Sequence, residues 1–234
     1  MPFSLVTSAG VSVWAILAAA GSGERLGLDR PKAFASLNDR PLLAEPLERL
    51  DASEWVEGIV VAAPPEWEEP CILVAEEIAA GKVAKAVTGG ATRSESVQNA
   101  LAEVPDDATV VLVHDAARPL ISDEVIERVI TALADGWDGA VPTLPIADTV
   151  KRVDGETMAE TLDREVLVTA QTPQAFVASA LRDAFSTLQH SVTKSTDCAS
   201  LMEANGGRVR AVEGDPRLLK VTTQADLDLV ASWL

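Results

Sequence analysis

The sequence predicts an α/β fold with a doubly wound, mostly parallel sheet. Two observations support this prediction. The first is a set of short apolar runs, the first two of them without interruption, which is typical of strands buried on both faces. These runs lie at 13–18, 58–63, 83–87 and 109–113. The second is the helical spacing of apolar residues between and after these runs, which indicates a parallel sheet with helices on both sides. The helical stretches lie at 41–50, 66–80, 94–104 and from Ser122 onward, with Ser122 as the N-cap.

The length and the later segments are consistent with one domain that spans residues 1–234. A chain of 234 residues, 47% of them hydrophobic, is long enough to fill a single α/β core. Residues 1–12 have neither a basic start nor a long apolar run, so we expect a disordered lead-in there and no secretory signal. Further helices and short apolar runs complete the predicted core, at 177–188, 197–204, 208–212, 218–221 and 224–233.

The alternation of strand and helix is interrupted after residue 145. Segments 146–153 and 156–164 flank Asp154-Gly155, a dipeptide suited to a tight hairpin turn. Both segments carry polar residues on both faces. We therefore expect a β-arm at about 146–165 that projects from the sheet and serves dimerisation, after which the chain returns to the sheet at 166–170. An extra antiparallel pair at the edge of the sheet is the alternative.

Charge and cysteine content limit the partners. The chain has 19 basic and 36 acidic residues, a formal net charge of −17, which disfavours binding to nucleic acids and to anionic membranes. No stretch approaches the roughly 20 apolar residues of a membrane span. Cys71 and Cys198 are far apart and lack CxxC spacing, so they form neither a disulfide framework nor a zinc site. We expect a cytoplasmic protein.

The first predicted strand ends in a glycine-containing turn that is followed by basic residues. Gly21 and Gly23 allow backbone N–H groups to approach a phosphate, and Arg25 and Lys32 add positive charge. The turn is not a dinucleotide fingerprint, because Leu26 stands where the third glycine is required, and it is not a Walker A loop. A plain tight turn is the alternative for the glycines alone.

Two other predicted strands end in similar chemistry. Gly89-Gly90 carries Arg93 and Ser96 into a helix N-terminus, and Asp115 follows the fourth apolar run. An aspartate at a strand end is suited to holding a divalent metal on a triphosphate, although a turn or helix cap would also explain it. In an open α/β sheet such strand ends meet at one edge, where ligands bind.

These residues together resemble one enzyme family from about residue 13 to the C-terminus. The motifs are Ala-Ala-Gly-x-Gly-x-Arg with a following Pro-Lys, Gly-Gly-x-x-Arg-x-x-Ser, and the segment 113–119, together with 148–151, 163–164, 171–174, 196–197 and 220–222. They are similar to those of 2-C-methyl-D-erythritol 4-phosphate cytidylyltransferases. The first motif alone is shared by many nucleotidyltransferases, and the fold implied is the Rossmann-like nucleotidyltransferase fold.

The resemblance implies transfer of CMP from CTP to 2-C-methyl-D-erythritol 4-phosphate with release of pyrophosphate, in non-mevalonate isoprenoid synthesis, by a homodimer that uses Mg²⁺ or another divalent cation. The implied nucleotide-binding residues are Ala18, Ala19, Ala20, Gly21, Gly23, Gly90, Arg93, Ser96, Asp115 and Ala116, with Asp115 also at the metal. The implied residues around the acceptor, the sugar-alcohol phosphate, are Arg118, Thr149, Arg164, Thr172, Thr196 and Lys220. The implied catalytic residues are Arg25, Lys32, Arg164 and Lys220.

Three positions depart from the family pattern. Ala18 stands where proline is frequent, Ala91 where an acid occurs, and Cys198 replaces a glutamate near the expected acceptor site.

Two other functions are alternatives. A ribitol-5-phosphate cytidylyltransferase would share the nucleotide-side motifs. A non-catalytic nucleotide-binding regulator is disfavoured, because such a protein would not need to keep the catalytic charges. Neither His114 nor His190 is expected to act as a base.

Overall fold

The computed structural model describes residues 10–23, 26–188 and 195–234 and contains the predicted sheet. The strands are β1 (Val13–Ala18), β2 (Ser36–Leu37), β3 (Arg40–Pro41), β4 (Gly58–Ala63), β5 (Val83–Thr88), β6 (Val110–Asp115), β7 (Gly139–Pro145), β8 (Lys151–Asp154), β9 (Thr157–Thr161), β10 (Val168–Ala170), β11 (Gln174–Val177) and β12 (Val209–Glu213). The helices are α1 (Ala44–Ala52), α2 (Glu68–Glu77), α3 (Arg93–Leu101), α4 (Asp123–Leu133), α5 (Ala178–Thr187), α6 (Cys198–Ala204) and α7 (Gln224–Ala231). Short 3-10 helices cover Lys32–Phe34 and Arg164–Val166.

The four apolar runs form the parallel half of the sheet, in the order β6-β1-β4-β5. The chain moves from β1 outward to β4 and β5 and then returns to place β6 on the other side of β1. This reversal is the switch point of a doubly wound sheet, where a crevice opens beyond the carboxyl ends of the strands. Ala18 and Asp115 are register partners at those ends of β1 and β6.

Both faces of β1, β4 and β6 are buried, which explains their largely apolar sequences. The edge strand β5 is partly exposed and contains Lys85. Ala15 and Leu17 of β1 pack on one side with α1, α2 and α4, whereas Ile16 packs on the other side with α3, α5 and α6. Successive residues of a strand point to opposite faces, so a strand covered by helices on both sides needs apolar residues at every position. A third apolar cluster joins α7 to the β2–β3 hairpin.

The other half of the sheet contains antiparallel strands, of which the sequence predicted only the return at 166–170, which corresponds to β10. β11 lies antiparallel to β6 and to β7, and β10 lies antiparallel to β7. β12 runs parallel to β7. Pro142 and Pro145 interrupt the apolar sequence of β7, and β11 has only four residues, so neither gave a strong strand signal.

The predicted element boundaries need small corrections. α2 is shorter than 66–80, and the segment 218–221 is not a strand, although Leu218 and Val221 are fully buried. Of the predicted lead-in 1–12, residues 1–9 lie outside the described residues. Ser12 already belongs to the fold, because its carbonyl accepts hydrogen bonds from Thr109 and Val110. Within the described ranges, no helix has the length and apolar character needed to cross a membrane.

The segment predicted as an arm contains a hairpin that is separate from the main sheet. β8 and β9 pair antiparallel with each other, and Gly155 turns the chain with a φ of +57°. The strands cover a shorter stretch than predicted, and all their residues are exposed. The predicted return to the sheet is confirmed by the pairing of β10 with β7. The role of the hairpin in dimerisation stays a prediction.

Candidate active site

A cleft of about 510 Å³ opens at the switch point, beyond the carboxyl ends of β1 and β6. Its lining residues come from the ends of three predicted strands and from the segment before α7. They are Ala18, Ala19, Ala20, Gly21, Ser22, Lys32, Ala33, Gly90, Ala91, Thr92, Arg93, Ser96, Asp115, Ala116, Ala117 and Lys220. Most residues that the sequence assigns to the nucleotide are therefore brought together.

The carboxylate of Asp115 organises the charges of this cleft. Arg93 Nε donates to Oδ1 at 2.7 Å, and Lys220 Nζ donates to Oδ2 at 2.6 Å. The side chain of Asp115 is only 8% exposed. Burial by itself opposes ionisation, but the attraction of Arg93 and Lys220 outweighs it and holds the pKa of Asp115 well below its usual range. Asp115 is therefore a buried, permanently ionised carboxylate with two cations.

Arg93 also contacts Cys198, a position the sequence places near the acceptor. Arg93 Nη1 lies 3.7 Å from the Cys198 Sγ, and Arg93 Nη2 is buried without a hydrogen-bond partner among the described residues. Burial raises the pKa of the Cys198 thiol to about 11, so the thiol stays neutral. Asp115 is thus the carboxylate partner of Arg93, and Cys198 is a buried, neutral neighbour of the same guanidinium.

A buried polar chain fixes the main chain beneath Asp115. The Asp115 N–H donates to Thr172 Oγ1 at 3.0 Å, and this hydroxyl lies 3.1 Å from His114 Nδ1. His114 Nε2 lies 2.9 Å from the Arg118 carbonyl, which can only accept a hydrogen bond. The contacts are therefore all satisfied by an imidazole protonated at Nε2 whose Nδ1 accepts from Thr172. Thr172, predicted to touch the acceptor, uses its hydroxyl inside the protein.

Two backbone hydrogen bonds and one glycine shape the loop after β1. The Ala116 N–H donates to the Ala18 carbonyl at 3.0 Å, and the Lys32 N–H donates to the Gly21 carbonyl at 3.3 Å. Gly23 has a φ of +77°, and a Cβ there would lie 2.9 Å from the Lys32 Cβ. The loop therefore needs glycine at this position. Arg25 lies outside the described residues, so its predicted role stays a prediction.

The second glycine loop is closed by the start of α3. The Gly90 N–H donates to Ser96 Oγ at 3.0 Å, and Ser96 Oγ donates to the Thr92 carbonyl at 2.8 Å. Thr92 and Glu95 form a capping box at the N-terminus of α3. A Cβ at Gly89 would lie 2.4 Å from the Ala20 Cβ, so the two glycine loops are in direct contact. Ser96 therefore shapes the loop that lines the cleft.

Several residues assigned to the acceptor lie elsewhere. Thr149, Arg164 and Thr196 are not among the described residues that line the cleft, and Thr149 and Thr196 are exposed. Arg164 directs Nη1 to the carbonyl of Ala147 beside the hairpin. The chain's own fold therefore brings most residues assigned to the nucleotide, together with Lys220, to one cleft, but not the other residues assigned to the acceptor.

The sequence alone did not indicate the contacts that hold the site together. These include the Thr172–His114 hydrogen bond and the bond from Lys32 Nζ to the Val221 carbonyl at 3.3 Å. Both join segments that are distant in sequence, so no local pattern could predict them.

A glycine-lined crevice at a switch point, with basic side chains around one carboxylate, defines an enzyme of the nucleotidyltransferase class.

Comparisons with known proteins identify the family. The model of IspD, 2-C-methyl-D-erythritol 4-phosphate cytidylyltransferase, matches residues 13–234. The protein of this name from Frankia casuarinae is 43% identical over 223 residues, covering 95% of this chain and 81% of the relative. That from Saccharopolyspora erythraea is 42% identical over 228 residues, covering 96% of this chain and 100% of the relative. The crystal structure of the Thermus thermophilus enzyme of this name has a TM-score of 0.77 at 33% identity and covers 95% and 98% of the two chains.

The chain belongs to the 2-C-methyl-D-erythritol 4-phosphate cytidylyltransferase family. It is therefore a cytidylyltransferase, and the resemblance seen in its motifs is confirmed.

The neutral state of His114 predicts a loss of stability in mild acid. Burial lowers the pKa of His114 to about 4, with Arg118 and Arg93 also opposing its charge and Asp115 favouring it. An unfolded chain exposes an imidazole with a pKa near 6.5. Between these values only the unfolded state binds the proton, so the free energy of unfolding should fall as the pH decreases. The expected loss between pH 7 and pH 5 is about 2 kcal/mol.

Urea denaturation at the two pH values measures this loss. His114→Asn keeps a neutral acceptor near Thr172 and should reduce the loss to less than about 1 kcal/mol, whatever its own stability at pH 7. His190 is present in both proteins and cancels in the comparison. An unchanged free energy of unfolding for the natural sequence between pH 7 and pH 5 would contradict a neutral, buried His114.

Proposed function

We propose that this cytidylyltransferase transfers CMP from CTP to 2-C-methyl-D-erythritol 4-phosphate. The observation that carries the proposal is that Lys32 lines the same cleft as Asp115 and its two partners Arg93 and Lys220. Among the described residues that line the cleft, three cations and one carboxylate leave an excess of two positive charges, in a protein whose overall charge is −17. Such a local excess is suited to a triphosphate and a second phosphate.

The reaction is an in-line displacement at the α-phosphorus of CTP. An oxygen of the acceptor phosphate forms the new P–O bond while the bond from the α-phosphorus to the bridging oxygen breaks, and pyrophosphate leaves with the electron pair. A phosphate monoester has a second pKa near 6, so the nucleophile is mostly dianionic at neutral pH and needs no general base. His114 cannot supply one, because it is buried and both its nitrogens are engaged.

Because no general base is needed, the protein has to orient the two substrates and to stabilise the charge that develops in the transition state. Lys32 is placed by the 3-10 helix at 32–34 and by the bond from its Nζ to the Val221 carbonyl. We infer that Lys32 and Arg25 stabilise the charge that develops on the leaving pyrophosphate. Gly90, Ser96 and Asp115 are suited to the cytosine and ribose end of the cleft, and Lys220 to the acceptor phosphate.

Asp115 does not fit the role of a resident metal ligand. Both its oxygens already accept from cationic side chains at 2.7 and 2.6 Å, and a divalent cation there would meet two positive charges. Among the described residues, no group of three or more His, Cys, Asp or Glu side chains is placed to hold a metal ion. We infer that a divalent cation enters with the triphosphate, as part of the substrate.

The exposed face of the hairpin supports the proposal of a homodimer. Val153 and Met158, which are register partners in the hairpin, are 63% and 72% exposed. Val166 and Val168, on the segment that leads from the hairpin back to the main sheet, are 78% and 53% exposed. A two-stranded hairpin is marginally stable by itself, so apolar residues on it are best explained by a covering surface. Arg164 lies next to this face and outside the chain's own cleft. We infer that a second copy covers the hairpin and receives Arg164 and Thr149 at its acceptor site.

The state of the cysteines supports a cytoplasmic location. Cys71 and Cys198 are both free and buried. Free thiols are typical of reducing compartments. We therefore place the enzyme in the cytoplasm.

The proposed substrates can be tested by measuring pyrophosphate release. Release should require both CTP and 2-C-methyl-D-erythritol 4-phosphate. UTP should be used roughly a hundredfold less efficiently, because a site that accepts the cytosine amino group leaves a buried acceptor unpaired with uracil. Ribitol 5-phosphate serves as the second acceptor. Faster release with ribitol 5-phosphate would replace the proposed acceptor, and equal use of UTP would argue against cytidylyl transfer.

Removal of the Lys32 charge should slow the chemical step. In Lys32→Ala, kcat should fall roughly a hundredfold, which corresponds to about 3 kcal/mol, while the KM for CTP changes by less. Arg25→Ala should behave in the same way. Lys85→Ala is the matched control, because Lys85 is exposed and paired with Glu103 outside the cleft. A loss below threefold in both variants would remove these residues from transition-state stabilisation.

A shared acceptor site predicts complementation between two inactive variants. Lys32→Ala and Arg164→Ala should each be nearly inactive as pure dimers. In a mixed dimer, one site carries both changes and the other carries neither. Random exchange of equal amounts should therefore restore roughly a quarter of the natural activity, by counting sites under two-fold symmetry. If differently tagged subunits exchange and no activity returns, Arg164 acts within its own chain.

A further inference from the structure

The segment that carries Lys220 has no regular secondary structure, yet its position is fixed. Residues 218–221 follow β12 without joining the sheet. Leu218 and Val221 are fully buried on either side of Lys220, and the Val221 N–H donates to the Ala117 carbonyl at 2.8 Å. Because this segment lacks the hydrogen bonds of a strand or helix, contacts from neighbouring loops must fix the position of the Lys220 main chain.

The side chain of Arg118 provides such a contact. Arg118 Nη1 donates to the Leu218 carbonyl at 2.6 Å, and Nη2 donates to the Ala170 carbonyl at 3.3 Å. Leu218 is two residues before Lys220, and Ala170 ends β10. The main chain of Arg118 is fixed as well, since its carbonyl is bonded to His114. A planar guanidinium offers its donors in a rigid fork, so two carbonyls bound to it are held at a set separation.

We propose that Arg118 is a positioning residue whose guanidinium ties the Leu218 carbonyl to β10 and thereby holds Lys220 against Asp115. The family resemblance instead implies that Arg118 touches the acceptor. In the structure both terminal nitrogens of its guanidinium donate to backbone carbonyls, and Nε is buried without a partner among the described residues. Two of its five N–H donors are therefore engaged by the protein's own backbone.

The consequence of the proposal is that Arg118 acts through Lys220. A shift of about 1 Å in a catalytic group can cost roughly a hundredfold in rate. Loss of the Arg118 contacts would free the backbone at Leu218 and allow a shift of that kind at Lys220. Because Lys220 is suited to the acceptor phosphate, its displacement should raise the acceptor KM no more than removal of the Lys220 side chain does. This inference rests on the proposed cytidylyl transfer, and the absence of CTP turnover by the natural sequence would be a failure of that proposal instead.

A double-mutant cycle tests the inference. Pyrophosphate release is measured for the natural sequence, Arg118→Gln, Lys220→Ala and the double variant, with enzyme in excess so that slow variants are still quantified. Arg118→Gln should lower the rate roughly tenfold to a hundredfold, with the acceptor KM raised no more than in Lys220→Ala. In the Lys220→Ala background the same change should cost less than threefold. Multiplicative losses, or an acceptor KM raised more by Arg118→Gln than by Lys220→Ala, would overturn the inference.

Two further variants separate positioning from a direct contact. Arg118→Lys keeps the charge but lacks the fork that spans two carbonyls, so it should be as slow as Arg118→Gln. Near-natural activity of Arg118→Lys would indicate a phosphate contact and refute the positioning role. Arg128→Gln is the matched control, because Arg128 also donates to a backbone carbonyl, that of Glu213 at 2.6 Å, away from the cleft. It should stay within twofold of the natural rate.

Discussion

The site depends on one buried carboxylate that is held between two cations. Asp115 ends β6 beside Ala18, at the reversal of the strand order, so the sheet itself determines where its negative charge lies. A buried ion is costly unless it is paired and hydrogen-bonded. Arg93 and Lys220 pair with it from two other parts of the chain. The requirement to neutralise Asp115 therefore brings the α3 loop and the segment before α7 to the same cleft.

A second set of polar contacts supports the two salt bridges of Asp115. Thr172 connects the main chain of Asp115 to His114, and His114 connects in turn to the backbone of Arg118. All these groups are buried or partly buried, and each contact satisfies a donor with an acceptor. Fully satisfied buried networks rigidify the structure around them. Asp115, and the cations that depend on it, therefore keep a defined position without an added metal ion.

The parallel half of the fold and most residues that line the cleft could be predicted from the sequence, because both leave local signals. Strands buried on two faces must be apolar throughout, and loops that approach phosphate need glycine and nearby cations. β7 and β11 gave no comparable signal, since one contains Pro142 and Pro145 and the other is four residues long. The role of Thr172 was missed for the same reason. Its place beside Asp115 follows from the antiparallel pairing of β11 with β6, which aligns Gln174 with Val113.

The positions of three residues assigned to the acceptor are less constrained within one chain, because Thr149, Arg164 and Thr196 are exposed. Thr149 and Arg164 lie on or beside a hairpin whose residues make few contacts with the core, so nothing within one chain dictates where they point. The overall charge of −17 also matters for the binding of both anionic substrates. At physiological ionic strength charges are screened beyond about 8 Å, so the acidic surface neither helps nor strongly hinders a phosphate already in the cleft. Recognition of two anionic substrates must then come from cations held within a few ångströms of them. That requirement explains why so much of the buried polar structure serves to place Arg93 and Lys220.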